Sequence, residues 1–293
     1  MTKIGAHALI WAPGWSTPEA EHVISKVAAA GFNFVEIPLM RPEAVDVTAT
    51  RSLLAEYGLS CTTGLGLPAA AHLPFAPKRA EEHLNRAVDV AAALGSPILT
   101  GGLYTHLGAR TGNPPSEEEL ATVAGVLKRV ARRAAGAGMR LGIENINRYE
   151  TYLANRVSDV LDLIARIGEP NVVAHIDTYH ANIEENGFAG PLRAAGGLLG
   201  YVHLSESGRQ LPGTGNVRFA EVFSTLAAIG YTGPLVIESF APLSDEVTAT
   251  FALWHDPVGD PDDYGRAGLA WFQEMADRHG LPDSQFGPFA GVA

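Results

Sequence analysis

Cysteine is nearly absent. Cys61 stands alone among 293 residues, so no intrachain disulfide can form and no thiolate cluster can hold a metal. That usage suits a reducing cytosol, and a cytoplasmic location is expected. Surplus positive charge is absent too: 21 Lys and Arg stand against 32 Asp and Glu, a net charge of −11. Nucleic-acid and anionic-membrane binding both need surplus Lys and Arg, so neither partner is expected. A strongly anionic substrate is disfavoured on the same ground, though less. No apolar run reaches the 18 or so residues that a membrane helix needs. The opening stretch MTKIGAHALIWAPGW is interrupted by Gly5, His7 and Pro13 and does not read as a signal peptide. Internal repeats, low-complexity tracts and linker-like breaks are missing as well, so nothing points to a second domain.

What is present is an alternation. Strands are expected at Lys3–Ile10, Phe32–Leu39, Leu59–Leu65, Pro97–Thr100, Arg140–Ile146, Asn171–Asp177, Leu199–Ser205 and Pro234–Ser239. Between and after them lie helical stretches at Ser16–Ala30, Thr48–Tyr57, Lys78–Leu94, from Ser116 to about Ala135, and at Val157–Ile167. A looser helical stretch runs to about Ala195, and two further helices cover Phe219–Ile229 and Gly265–Arg278. Ser116 followed by Glu117, Glu118 and Glu119 is a helix start, because carboxylates favour the positive helix end. Eight β-then-α units imply a parallel sheet, and eight is the number that closes it into a (β/α)8 barrel. A single barrel domain over residues 1–293 is expected, with an irregular tail from about residue 282.

In such a barrel the reactive groups gather at the C-terminal ends of the strands. Strand five ends at Glu144, strand six at Asp177, strand seven carries His203 and strand eight ends at Glu238. Unpaired buried charges are costly, so four such groups at one end of consecutive strands are hard to explain structurally. Carboxylates with one imidazole suit a divalent metal such as Mn²⁺, Mg²⁺ or Co²⁺ better than a thiolate zinc. Strands five and eight lie nearly opposite each other across the site. Glu144 and Glu238 would therefore reach opposite faces of a carbon, the arrangement that inversion by two bases needs. His175 shares a face with Asp177 and reads as a hydrogen-bonded layer residue, as does His7. Trp11 and Trp254 are candidates either for the core or for an apolar wall of the pocket. Gly64 and Gly66, in TGLGLP, allow strand curvature or close approach of a substrate. The run Pro212–Gly215 falls where many barrels hold phosphate, but it carries Arg209 nearby and no lysine, so it reads mainly as a tight turn.

These residues resemble the ketose 3-epimerases, the enzymes of D-tagatose, D-allulose and L-ribulose within the xylose-isomerase-like barrels. The matching segments include EN-INRYE (144–150), HIDTYHANIEE (175–185), YVHLSES-GR (201–209), PGTGNV (212–217) and IGYTGPLVIESF (229–240). The ligand candidates are separated by 33, 26 and 35 residues, as in that family. The resemblance implies that Glu144, Asp177, His203 and Glu238 bind the metal and that Glu144 and Glu238 also exchange the proton. It places Glu150, His180 and Arg209 near O1 and O2 of a free ketose. It also implies a homodimer or homotetramer. An aldose–ketose isomerase or a sugar-phosphate epimerase is the alternative on the same barrel. Two departures stand out: Ser205, where glycine is common, is expected to narrow the pocket, and Gly208 to loosen the loop of Arg209.

Overall fold

The computed structural model describes residues 2–285. Eight parallel strands close into a barrel in chain order: β1 (Ile4–His7), β2 (Phe34–Pro38), β3 (Ser60–Gly64), β4 (Ile98–Thr100), β5 (Arg140–Glu144), β6 (Val172–Asp177), β7 (Leu199–Leu204) and β8 (Leu235–Ile237). Around them run α1 (Thr17–Ala30), α2 (Val47–Tyr57), α3 (Pro77–Leu94), α4 (Glu117–Gly136) and α5 (Val157–Ile167). The second half adds α6 (Thr178–Glu184), α7 (Ala189–Ala195), α8 (Phe219–Ala228), α9 (Asp245–Thr250) and α10 (Pro261–His279). Each helix that follows a strand returns the chain for the next parallel strand.

Local chemistry sets the helix ends. Ser116 caps α4 by accepting the Glu119 N–H (3.2 Å), while the Glu119 carboxylate takes the Ser116 N–H (2.7 Å). Gly31, Gly58, Gly95 and Gly168 close α1, α2, α3 and α5 in left-handed backbone, which glycine adopts without steric cost. The looser stretch expected up to Ala195 resolves into α6 and α7. Asp177 starts α6, and Gly187 at φ +114° turns the chain between the two. The last helix begins earlier than expected, at Pro261, because Asp260 accepts the N–H groups of Asp262 and Asp263. Residues 282–285 carry no helix or strand, and the rest of the expected tail lies outside the described residues.

Successive strand residues alternate between the barrel interior and the helices. One apolar interior layer is formed by Phe34, Ile98, Val173, Tyr201 and Val236. It fits because Gly5 yields its side-chain space to the Phe34 ring, and Gly200 yields its space to Val173. Two or four residues further along the same faces come Glu36, His175, Asp177, His203 and Glu238. The floor of the site and its chemistry are therefore set by one periodicity.

Candidate active site

Glu144 ends β5, Asp177 ends β6, His203 lies in β7 and Glu238 follows β8. The parallel register makes Asp177 and His203 direct neighbours and aligns Glu144 with His175. One ligand atom from each of Glu144, Asp177, His203 and Glu238 lies within 4.8 Å of the others, and all four side chains are buried. Asp177 divides its two oxygens between tasks. Oδ1 accepts the N–H groups of Tyr179 (2.5 Å) and His180 (3.3 Å) at the start of α6. Oδ2 turns to the centre, 3.7 Å from His203 Nδ1.

His203 is held from behind. Its Nε2 lies 2.7 Å from Glu36 Oε2, and Glu36 also accepts the Tyr201 hydroxyl at 2.7 Å. Its Nδ1 is buried and makes no hydrogen bond of regular geometry. That atom faces Glu238 Oε1 at 3.1 Å, Asp177 Oδ2 at 3.7 Å and Glu144 Oε1 at 3.8 Å. A buried nitrogen without a hydrogen bond, amid three carboxylates and without thiolate, fits a hard divalent cation. The charge balance agrees. Glu36, Glu144, Asp177 and Glu238 are all buried here, and the Arg209 guanidinium pairs with two of them, Asp177 and Glu238.

The two glutamates titrate in opposite directions. Burial and the neighbouring Glu238 and Asp177 carboxylates push Glu144 well above the usual carboxylate range, against the pull of His203. Burial acts on Glu238 in the same sense, but the charges of Arg209 and His203 overcome it and hold the group well below that range. Burial opposes a charge on His203, yet the Glu238 and Glu36 carboxylates raise its imidazole well above the usual value. A pair of carboxyls driven apart in this way can start as one acid and one base.

Arg209 Nη1 donates to Glu238 Oε2, to Asp177 Oδ2 (3.2 Å) and to Ser205 Oγ (2.8 Å). Its guanidinium is clamped between the rings of Tyr179 (4.1 Å) and Phe240 (4.8 Å). The residue sits at φ +61°, a costly position for a non-glycine residue. The loop that holds it is organised by Glu206, a buried carboxylate that sequence reasoning missed. Glu206 Oε1 accepts the N–H groups of Ser207 (2.8 Å) and Val217 (3.0 Å), and Oε2 accepts that of Gly213 (3.0 Å). The looseness expected from Gly208 is thus countered by three backbone bonds to its neighbour. Ser205 does not line the cavity. It lies fully buried beneath Arg209 and also donates to Asp177 Oδ2 at 3.1 Å.

The cluster opens into a cavity of about 780 Å³, within the range of small-ligand sites. Glu150, His180, Arg209 and Gly66 line it together with Glu36, Glu144, His203 and Glu238. Asn147, another residue missed in the sequence, ties two of these together: its Nδ2 donates to Glu150 Oε1 (2.7 Å) and lies 2.8 Å from His180 Nδ1. The Asn147 N–H also reaches His180 Nδ1 at 3.2 Å. The proton of neutral His180 therefore belongs on Nε2, which stands 3.9 Å from Glu144 Oε1.

Trp11 is not part of the wall. It packs against Phe32 and over Gly265, and its Nε1–H donates to Asp262 Oδ1 at 3.0 Å. Trp254 is neither core nor wall: 73% of it is exposed. His175 bonds Thr100 Oγ1 through Nδ1 (2.9 Å) and stacks edge-on against Tyr201 and His203.

The family model for xylose isomerase-like TIM barrels matches residues 24–275. An L-ribulose 3-epimerase of Methylomonas sp. (strain DH-1) is 39% identical over 93% of this chain and 97% of its own. A ketose 3-epimerase of Arthrobacter globiformis is 36% identical over 93% and 96%. The crystal structure of a D-allulose 3-epimerase from Methylomonas sp. in complex with D-allulose superposes with a TM-score of 0.90. It is 38% identical and covers 94% of this chain and 97% of the other.

Proposed function

Because the chain belongs to the ketose 3-epimerases of the xylose isomerase-like TIM-barrel family, and so is an isomerase acting on carbohydrates, we propose that it interconverts free ketoses at C3 with a bound divalent metal, Mn²⁺ first among the candidates. The observation that carries this reading is the buried Glu144–Asp177–His203–Glu238 cluster, with the two glutamates on its outermost strands. The same family reading carries a cytoplasmic homodimer or homotetramer.

The C3 proton of a ketose is acidic because C2 is a carbonyl. Glu144 and Glu238 approach the centre from β5 and β8, three positions apart in the ring of eight. One carboxylate takes the C3 proton, and the other carboxyl returns a proton to the opposite face. Lewis-acid stabilisation of the negative charge that develops on the sugar oxygens is the chemistry that a divalent cation supplies when bound there. Arg209 adds a fixed positive charge beside Glu238, and His180 offers its Nε2–H, both suited to an oxyanion at C2. Glu150, fastened by Asn147, accepts from a sugar hydroxyl. The substrate-side residues are thus Glu150, His180 and Arg209, with Gly66 allowing close approach.

Free sugars are favoured over phosphates by the loop after β7. Its amides lie where many barrels bind phosphate, and here those of Ser207, Gly213 and Val217 are already taken by Glu206. The test is to incubate Mn²⁺-loaded protein with D-tagatose, D-allulose, D-fructose, L-ribulose and ribulose 5-phosphate and to resolve the products by chromatography. C3 epimers of the free ketoses are expected, with a higher kcat/KM than for the phosphate. Aldose products, or a preference for the phosphate, would overturn the reading.

A further inference from the structure

Glu36 lies in the middle of β2, in an otherwise apolar run, and is 1% exposed. A buried carboxylate is costly unless its partners repay the lost hydration. Its seat is built from two other strands, β3 and β7. Gly64 of β3 leaves the space that Oε1 fills: a Cβ there would lie 2.2 Å from it. Tyr201 of β7 donates its hydroxyl to Oε2, and that hydroxyl also meets Thr62 Oγ1 of β3 at 2.7 Å. His203, two residues beyond Tyr201, places Nε2 against the same Oε2.

The consequence is at the other ring nitrogen. A cation can take Nδ1 only when the remaining ring proton is on Nε2. The Glu36 carboxylate accepts a proton there and cannot donate one while ionised. Oε2 already accepts the Tyr201 hydroxyl, so it stands as an acceptor towards Nε2. The bond thus selects one tautomer and fixes the ring plane, so that Nδ1 points at Glu144, Asp177 and Glu238. Carboxylates that anchor a ligating imidazole in this way strengthen metal binding.

We propose that Glu36 is a positioning residue for the divalent cation, acting through His203 and itself held by Tyr201 and Gly64. This rests on the metal reading of the cluster. Glu36→Gln keeps the size, but its amide can turn to donate to Nε2 and so stabilise the opposite tautomer. Tyr201→Phe leaves the carboxylate in place and removes one of the groups that orient it.

The experiment titrates chelator-stripped wild-type, Glu36→Gln and Tyr201→Phe proteins with Mn²⁺ and follows the free ion by electron paramagnetic resonance. The melting temperature of each metal-free protein is recorded alongside. The expected result is a 10- to 100-fold weaker Mn²⁺ affinity for Glu36→Gln, a smaller loss for Tyr201→Phe, and metal-free melting temperatures close to wild type. Activity of Glu36→Gln, low at limiting Mn²⁺, should recover as Mn²⁺ is raised. Wild-type Mn²⁺ affinity in Glu36→Gln would overturn the proposal, as would a loss of affinity matched by loss of the metal-free fold. Failure of the wild-type protein itself to bind Mn²⁺ would instead overturn the metal reading on which it rests.

Discussion

Replacing Glu206 tests whether the loop after β7 is what places Arg209. The carboxylate receives three backbone N–H groups, at 2.8, 3.0 and 3.0 Å, spread from Ser207 to Val217. The Arg209 N–H in turn donates to the Glu206 carbonyl at 2.9 Å. A hydrogen bond to a charged group contributes about 1.5–3 kcal/mol. Three that share one carboxylate do not add fully, and alanine lets water reach some of the freed donors, so Glu206→Ala should cost about 3 kcal/mol. At about 2–4 °C per kcal/mol, the melting temperature should fall by about 6–12 °C. Arg209 would lose the turn that holds it at φ +61°, and kcat/KM for the preferred ketose should drop by about tenfold, equivalent to about 1.4 kcal/mol. Glu206→Gln retains an oxygen for two of the donors and should fall between alanine and wild type. Differential scanning calorimetry and steady-state kinetics below the new transition read the two effects. An unchanged melting temperature would refute the three-bond seat. A lowered one with wild-type kcat/KM would refute the link from Glu206 to Arg209.

Two other outcomes follow from the same geometry. Chelation should abolish activity and Mn²⁺ should restore it; at 100 times its dissociation constant the ion should add about 2.7 kcal/mol of stability. Full activity in protein shown by elemental analysis to be metal-free would contradict this. Gly142→Ala would set a methyl 2.2 Å from Thr100 Oγ1, disturbing its bonds to the Gly142 carbonyl and to His175. A loss of about 1–3 kcal/mol is expected from such overpacking, and a melting temperature within a degree of wild type would show that the barrel wall yields there at no cost.

The barrel was legible because the apolar strand runs are punctuated by Gly and Pro, and the alternation of side chains is indifferent to small errors in strand length. The grouping of Glu144, Asp177, His203 and Glu238 was legible for a related reason. Strand ends of a parallel barrel share one rim, so candidates from separate segments could be placed together. Glu36 was not, although an acid in the apolar run FNFVEIPL is a signal. Its partners, Tyr201 and His203, are more than 160 residues away. Glu206 was not legible either, because two of its three donors, Gly213 and Val217, come from a later turn that no local pattern reveals. Trp11 was ambiguous for the same reason: the acceptor that fixes it, Asp262, comes from α10 at the other end of the chain. The helix α9, only six residues long and capped by Ser244, fell below the length that periodicity can detect.

The two-base inversion at C3 is tested most directly by turnover in D₂O. Mn²⁺-loaded enzyme is allowed a few per cent conversion of a free ketose, and both epimers are analysed by mass spectrometry and NMR. The epimer formed should carry deuterium at C3, because the carboxyl that delivers the proton exchanges with solvent. The recovered substrate should carry little, because its own face is served by the other glutamate. Glu144→Gln and Glu238→Gln, each checked for metal content, should both abolish net epimerisation. Product without deuterium at C3, or near-wild-type turnover by either fully metallated variant, would contradict the account.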